Sequence, residues 1–108
     1  MKELTKLKTG LRLAQGKKGY SFNRNTPLVD RIIEGLATNR ERYGYMACPC
    51  RLATGERKTD TSVICPCDYR DDDVKDYGTC YCGLFVSNEN KGKDFSGVKV
   101  PERHVYDD

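Results

Sequence analysis

The sequence predicts a small, mainly α-helical domain, and three observations carry that expectation. The clearest periodic stretch is helical: Leu28, Ile32 and Leu36 recur every four residues, with Val29 and Ile33 widening the stripe. From Cys48 to Cys82 prolines, glycines and cysteines dominate, and no long periodic segment survives. With 108 residues, 37% hydrophobic, 32% charged and no tryptophan, the chain buries only somewhat more than ~60% of its unfolded surface. Its core is therefore thin, and its six cysteines are the first feature to explain.

The elements follow in chain order. Residues 1–19 hold Lys2, Lys6, Lys8, Arg12, Lys17 and Lys18 against Glu3, a net charge of +5 in a chain whose total is +3. Leu4, Leu7 and Leu11 fall on one helical face, but Thr9 and Gly10 weaken a helix there. The segment reads as a basic N-terminal arm, solvated and partly frayed, ahead of a domain over 20–108. Its functional alternative is a docking surface for an acidic protein. Six charges without interleaved aromatics argue against nucleic acid as a partner. Gly16 to Asn25 reads as a loop. Thr26 as cap and Pro27 at the first helical position open a helix over 27–43, and Gly44 suits its end. Residues 52–64 allow a turn or two of helix ending at Val63 and Ile64. Asp68 to Asp76 reads as an exposed acidic loop. Gly83 to Val86 offers a short apolar piece to pack, and the polar tail ends in a late apolar patch at Val98, Val100 and Val105.

No apolar run approaches the ~20 residues that span a bilayer. The first fifteen residues lack the apolar core of a secretory signal. The expectation is a soluble, cytoplasmic chain with no membrane partner. In a reducing compartment, clustered cysteines more often bind metal or do redox chemistry than form structural disulfides. Six staples would in any case allow 15 connectivities.

The cysteines form three C-x-C pairs, Cys48-Pro49-Cys50, Cys65-Pro66-Cys67 and Cys80-Tyr81-Cys82, separated by 14 and 12 residues. Zinc ribbons and thioredoxin-type sites use C-x-x-C, a spacing absent here. Proline fixes its own φ and pushes the preceding residue toward extended geometry. A C-P-C backbone is therefore stiff and non-helical, and it can point two sulfurs in different directions. A cubane iron–sulfur cluster takes four thiolates, and six cysteines leave two more for one redox-active disulfide. If each spare cysteine belongs to a different pair, that disulfide sits against the cluster. The arrangement suits the two-electron reduction of a disulfide by carriers that deliver electrons singly.

Cys48-Pro49-Cys50-Arg51, Cys65-Pro66-Cys67 and Cys80-x-Cys82 followed by Leu84-Phe85 resemble the catalytic subunit of ferredoxin–thioredoxin reductase. The stretch from Val29 to Gly44 is similar to that family's helix before its first C-P-C. The likeness covers about residues 20–97 and leaves the basic arm outside. The resemblance implies a helical domain wrapped around a [4Fe–4S] cluster ligated by Cys48, Cys65, Cys67 and Cys80, with Cys50 and Cys82 as the catalytic redox disulfide. It makes Cys50 the exposed nucleophile that attacks the target disulfide and sets Cys82 beside the cluster. It further implies a ferredoxin-like donor, a thioredoxin or thioredoxin-like target, and pairing with a small second subunit. The energetics run in that direction. Plant-type ferredoxins lie near about −400 mV and thioredoxin near about −270 mV, so two electrons release roughly 6 kcal/mol.

The match departs in two places: the 12-residue gap before Cys80, which carries the acidic stretch, is longer than the family pattern, and the last pair differs. The family's last pair is usually C-H-C, with a histidine that handles protons; here Tyr81 stands there, and a phenol of pKa ~10 is a poor proton shuttle at neutral pH. Tyr81 reads either as a hydrogen-bond donor to Cys50 or Cys82 or as packing over the cluster. The single histidine, His104, reads as a surface or packing residue, with a proton-handling role as the alternative. Arg51 reads as a positive charge that stabilises a thiolate, or as one half of a salt bridge. Tyr43, Tyr45, Tyr69 and Tyr77 read as core or cluster-shielding residues, and Phe85 as core. The competing class is a non-enzymatic module in which zinc or a cluster serves only structure or interaction.

Overall fold

The computed structural model describes residues 2–51, 53–93, 95 and 98–103. His104 and Val105 lie outside them. Four α-helices, α1 (Lys2–Gly16), α2 (Thr26–Tyr43), α3 (Arg57–Asp60) and α4 (Arg70–Tyr77), accompany two short strands, β1 (Tyr20–Phe22) and β2 (Phe85–Ser87). The expected mainly helical class is what the described residues show. No helix among them is long and apolar enough to cross a membrane.

The central helix is α2, one residue longer at its start than the periodicity suggests. Asn25, not Thr26, is its cap, accepting a hydrogen bond from the Leu28 N–H at 3.3 Å. Pro27 sits in the first turn as expected, and Gly44 ends the helix at φ 85°, a left-handed conformation that disfavours side chains. Val29, Ile32, Ile33 and Leu36 are all buried. They pack with Leu11, Val74, Cys80, Leu84 and Phe85 in one core cluster. Two cysteine-bearing loops thus grow directly out of the core.

Three expectations are corrected. The basic segment is no frayed arm but helix α1, whose Leu4, Leu7 and Leu11 line the core. Its leucine face outweighs the cost of Gly10, and Lys8 pairs with Asp30 of α2 at 2.7 Å. The loop at 16–25 contains β1, which pairs antiparallel with β2 in the register Tyr20↔Ser87, Ser21↔Val86 and Phe22↔Phe85. The acidic stretch 68–76 is mostly helical: α4 begins within it at Arg70 and ends just beyond it at Tyr77, with Arg70, Asp73 and Val74 buried. Its two buried charges find partners elsewhere in the chain: Arg70 Nη1 donates to Gln15 Oε1 of α1 at 2.5 Å, and Arg103 Nε donates to Asp73 Oδ1 at 2.6 Å, while Asp71, Asp72 and Asp76 are exposed as expected. The turn or two of helix expected within 52–64 is α3 followed by a 3-10 turn over Thr61–Val63. Of the late apolar patch, Val100 is buried and Val98 exposed.

Candidate metal and redox site

Backbone pairing brings the cysteine loops together. Ala47 and Ile64 form an isolated antiparallel bridge. Beside it the Cys48 N–H donates to the Val63 carbonyl at 2.9 Å and the Cys65 N–H to the Met46 carbonyl at 2.8 Å. A second bridge joins Thr79 to Val86, and the Cys80 N–H donates to the Phe85 carbonyl at 3.1 Å. Two pairs then close a tight turn: Arg51 N–H to Cys48 carbonyl at 3.1 Å, and Gly83 N–H to Cys80 carbonyl at 2.9 Å. The first turn lies hard against α2, where a β-carbon on Gly35 would come within 2.7 Å of Pro49 Cβ. Only glycine admits this approach. The Cys65–Pro66 peptide is cis.

The pairs divide their sulfurs as a stiff C-x-C backbone allows. Cys48 and Cys80 are buried and Cys50 is exposed, while Cys65, Cys67 and Cys82 lie between those extremes. A small cavity of about 10 Å³ is lined by Cys48, Cys65, Cys67, Cys80 and Cys82, with Pro66, Phe85 and Arg70 in its wall. Cys50 does not line it. The sulfurs of Cys48, Cys50 and Cys82 all lie within 4.8 Å of one another, and Cys80 Sγ lies 3.8 Å from Cys82 Sγ. Cys48 and Cys82 therefore belong to both groups, lining the cavity and lying beside Cys50. A donor set made of sulfur alone fits a soft metal or an iron–sulfur cluster.

The thiols are electrostatically unequal. Hydrogen bonds from Cys48 and Cys82 hold the Cys50 sulfur down at about 4. Hydrogen bonds with Cys48, Cys50 and Cys80 push Cys82 well above the ordinary thiol range. Burial raises Cys65. At Cys80 the hydrogen bond from Cys82 outweighs burial and lowers the thiol, helped by the Phe85 N–H, 3.3 Å from its sulfur.

Arg51 is placed differently from either expectation alone. It makes an ion pair with Glu102 and also donates from Nη1 to Cys67 Sγ at 3.3 Å. Its guanidinium carbon lies 4.4 Å from the Tyr81 ring centroid and 5.2 Å from that of Tyr69. Tyr81 thus packs on a cation and makes no hydrogen bond to Cys50 or Cys82. Burial, with Glu102 nearby, pushes its hydroxyl above the ordinary tyrosine value, so it keeps its proton at neutral pH. Tyr45 is buried, Tyr43 stacks on it at 5.9 Å, and Tyr77 is exposed with Arg103 over its ring. Phe85 is core, as expected. Sequence reasoning missed Glu102, Arg70 and Asp73, because each finds its partner dozens of residues away.

Comparison with known proteins bears directly on this constellation. A sequence profile described as "Ferredoxin thioredoxin reductase catalytic beta chain" matches residues 1–103. The chain belongs to the ferredoxin–thioredoxin reductase catalytic-chain family. Similar members of that family include the "Ferredoxin-thioredoxin reductase, catalytic chain" of Porphyra purpurea, 30% identical over 69% of this chain and 62% of that one. The protein of the same name from Pyropia yezoensis is 33% identical over 69% of this chain and 63% of its own. The "Ferredoxin-thioredoxin reductase catalytic chain, chloroplastic" of Spinacia oleracea is 30% identical over 75% and 51% respectively. The chain thus spans only about half to three-fifths of the length of these relatives.

Proposed function

We propose that this chain reduces a protein disulfide, that of thioredoxin or a thioredoxin-like protein, with single electrons from a ferredoxin-like donor. In this reading Cys48, Cys65, Cys67 and Cys80 hold a [4Fe–4S] cluster, and Cys50 and Cys82 form the redox disulfide. The observation that carries it is the cavity: those four cysteines line it together with Cys82, while Cys50 stands outside on the surface. Family membership supports disulfide reduction in the ferredoxin–thioredoxin system. In this reading 20–108 is the cluster-holding domain and 1–19 its basic N-terminal segment, of which Lys2–Gly16 is helix α1.

The chemistry at the chain's own atoms is thiol–disulfide exchange. The exposed Cys50 thiolate attacks one sulfur of the target disulfide, forming a mixed disulfide and releasing the first target thiolate. The Cys82 thiol then gives up its proton to solvent and attacks Cys50 Sγ, which forms the Cys50–Cys82 bond and releases the second target thiolate. The target gains two electrons and, from solvent, two protons. Restoring the two thiols on this chain takes two electrons from the donor and two protons. When bound, the cluster supplies those electrons one at a time. Tyr81 holds its proton against Arg51 and takes no part in the exchange, so protons pass between solvent and the exposed Cys50.

A reducing compartment suits this use of cysteine, the cytoplasm in our reading; the spinach relative is named as chloroplastic. A small second subunit, as the family resemblance implies, would complete the enzyme. The group formed by the Cys48, Cys50 and Cys82 sulfurs is the observation that favours the alternative, a structural zinc module. An anaerobic assay with photoreduced ferredoxin and oxidised thioredoxin tests the activity. The expected result is two thioredoxin thiols for every two ferredoxins oxidised. A cluster-loaded protein that oxidises no ferredoxin and yields no thiols would overturn the proposal.

A further inference from the structure

The Arg51 side chain is 0% exposed, whereas that of its partner Glu102 is 23% exposed. Arg51 Nε lies 2.9 Å from both Glu102 carboxylate oxygens. Nη2 is also 2.9 Å from Oε1 but is not aligned for a hydrogen bond. Tyr81 and Tyr69 contribute their rings, and Nη1 is left to donate to Cys67 Sγ at 3.3 Å. Glu102 arrives on the C-terminal strap 98–103, which is anchored by buried Val100 and by Arg103, paired with Asp73 and Asp76 of α4.

Withdrawing a guanidinium from water is costly unless its donors are matched. A surface salt bridge would have satisfied this arginine without burying it. Instead the carboxylate takes one edge and the aromatic rings lie against the guanidinium, so the remaining edge is aimed at a sulfur. A neutral phenol suits that task, because its ring attracts the cation and its hydroxyl carries no charge at neutral pH. A protonated imidazole at position 81 would repel the guanidinium.

We infer that Arg51 is a positioning residue that sets the reduction potential of the group ligated by Cys67, and that Glu102 and Tyr81 hold it in place. The inference rests on the cluster reading above. Uptake of one electron from the donor adds one negative charge and makes no covalent bond. A fixed cation and an N–H donor at a ligand sulfur favour the more negative state and so raise the potential. The position-81 exchange thereby gains a physical role: the side chain between Cys80 and Cys82 holds a charge instead of moving a proton.

The test is an anaerobic redox titration of the iron-loaded full chain, followed by visible and EPR spectra, on wild type, Arg51→Gln, Arg51→Lys and Glu102→Gln. Arg51→Gln is expected to be about tenfold harder to reduce, a shift of ~59 mV to more negative potential for a one-electron couple. Arg51→Lys keeps the charge without the fork and is expected to fall between. Glu102→Gln is the sharper probe. Deleting a carboxylate would by itself push the potential positive, whereas releasing Arg51 from Cys67 pushes it negative, and the negative shift is expected. Wild-type potentials in iron-loaded Arg51→Gln and Glu102→Gln would overturn the inference, and a positive shift in Glu102→Gln would overturn the clamp. If Arg51→Gln does not hold iron, Glu102→Gln and Tyr81→Leu decide by the same sign. A wild-type protein that binds no iron would refute the cluster reading instead.

Discussion

Replacing Cys50 with serine is expected to abolish disulfide reduction while leaving the iron content at the wild-type level. The two halves of that result come from one geometric fact, that Cys50 is exposed and does not line the cavity formed by the other five cysteines. Serine removes the most exposed of the six cysteine sulfurs, and without that nucleophile the exchange should slow by more than about a thousandfold. Iron and sulfide assays on the purified variant, beside thioredoxin thiol release, check both halves. Retained turnover would show that another cysteine attacks the target. Loss of iron would show that Cys50 is a ligand and that the four ligands are wrongly chosen. Cys82→Ser supplies the complement, since Cys50 can then attack but nothing resolves the adduct. A mixed disulfide with thioredoxin should accumulate, visible on a non-reducing gel.

The largest expected effect on stability lies at Asp60, 2% exposed at the end of α3. Its carboxylate accepts hydrogen bonds from the Tyr45 hydroxyl, from the Thr54 N–H at 3.0 Å and hydroxyl at 2.9 Å, and from the Gly55 N–H at 3.2 Å. It thereby ties the loop after the first C-P-C turn to the segment that leads from α2 into Cys48. Burial pushes Asp60 up, but the hydrogen bonds from Tyr45 and Thr54 outweigh it and hold the carboxyl below its ordinary value. Burial and the same contact with Asp60 drive the Tyr45 hydroxyl up to about 12. Asp60→Asn, which keeps the shape and removes the charge, should cost about 2 kcal/mol at neutral pH, the range for hydrogen bonds to a charged group. The sign of the pH dependence follows from the depressed carboxyl. Its contribution is complete above the unfolded carboxylate range, near ~3.9, and is lost as pH falls through the lower folded value. Denaturation curves of both proteins should therefore differ at neutral pH and converge in acid. A gap that stays constant down to strongly acidic pH would show that the carboxylate's charge is not what holds this loop.

Much of this molecule was legible in the order of its residues, and the remainder was hidden for identifiable reasons. Helix α2 announced itself through a four-residue apolar repeat, a proline in its first turn and a glycine after its end. The three C-x-C pairs and the stiffness of C-P-C pointed to sulfurs facing different ways; Cys48 is buried and Cys50 exposed, but their sulfurs stay within 4.8 Å of each other. Strand β1 was invisible because three residues are too few to show alternation, and what makes it a strand is Phe85 to Ser87 more than sixty residues later. The charged run at α4 looked solvated because solvation is the commonest fate of such a run. Arg70 and Asp73 instead meet Gln15 and Arg103, partners 55 and 30 residues away. The same distance problem hid the pairing of Arg51 with Glu102, 51 residues apart. Tyr81 stood out as a departure from the family pattern, but nothing local indicated that its ring faces a guanidinium.

The cluster reading meets its most direct test in an anaerobic absorption spectrum of the purified full chain, with iron, sulfide and zinc assayed on the same sample. A brown protein with a broad band near ~400 nm and about four irons and four sulfides per chain is the expected result. A colourless protein that keeps stoichiometric zinc would contradict it, and would make the six cysteines a structural module.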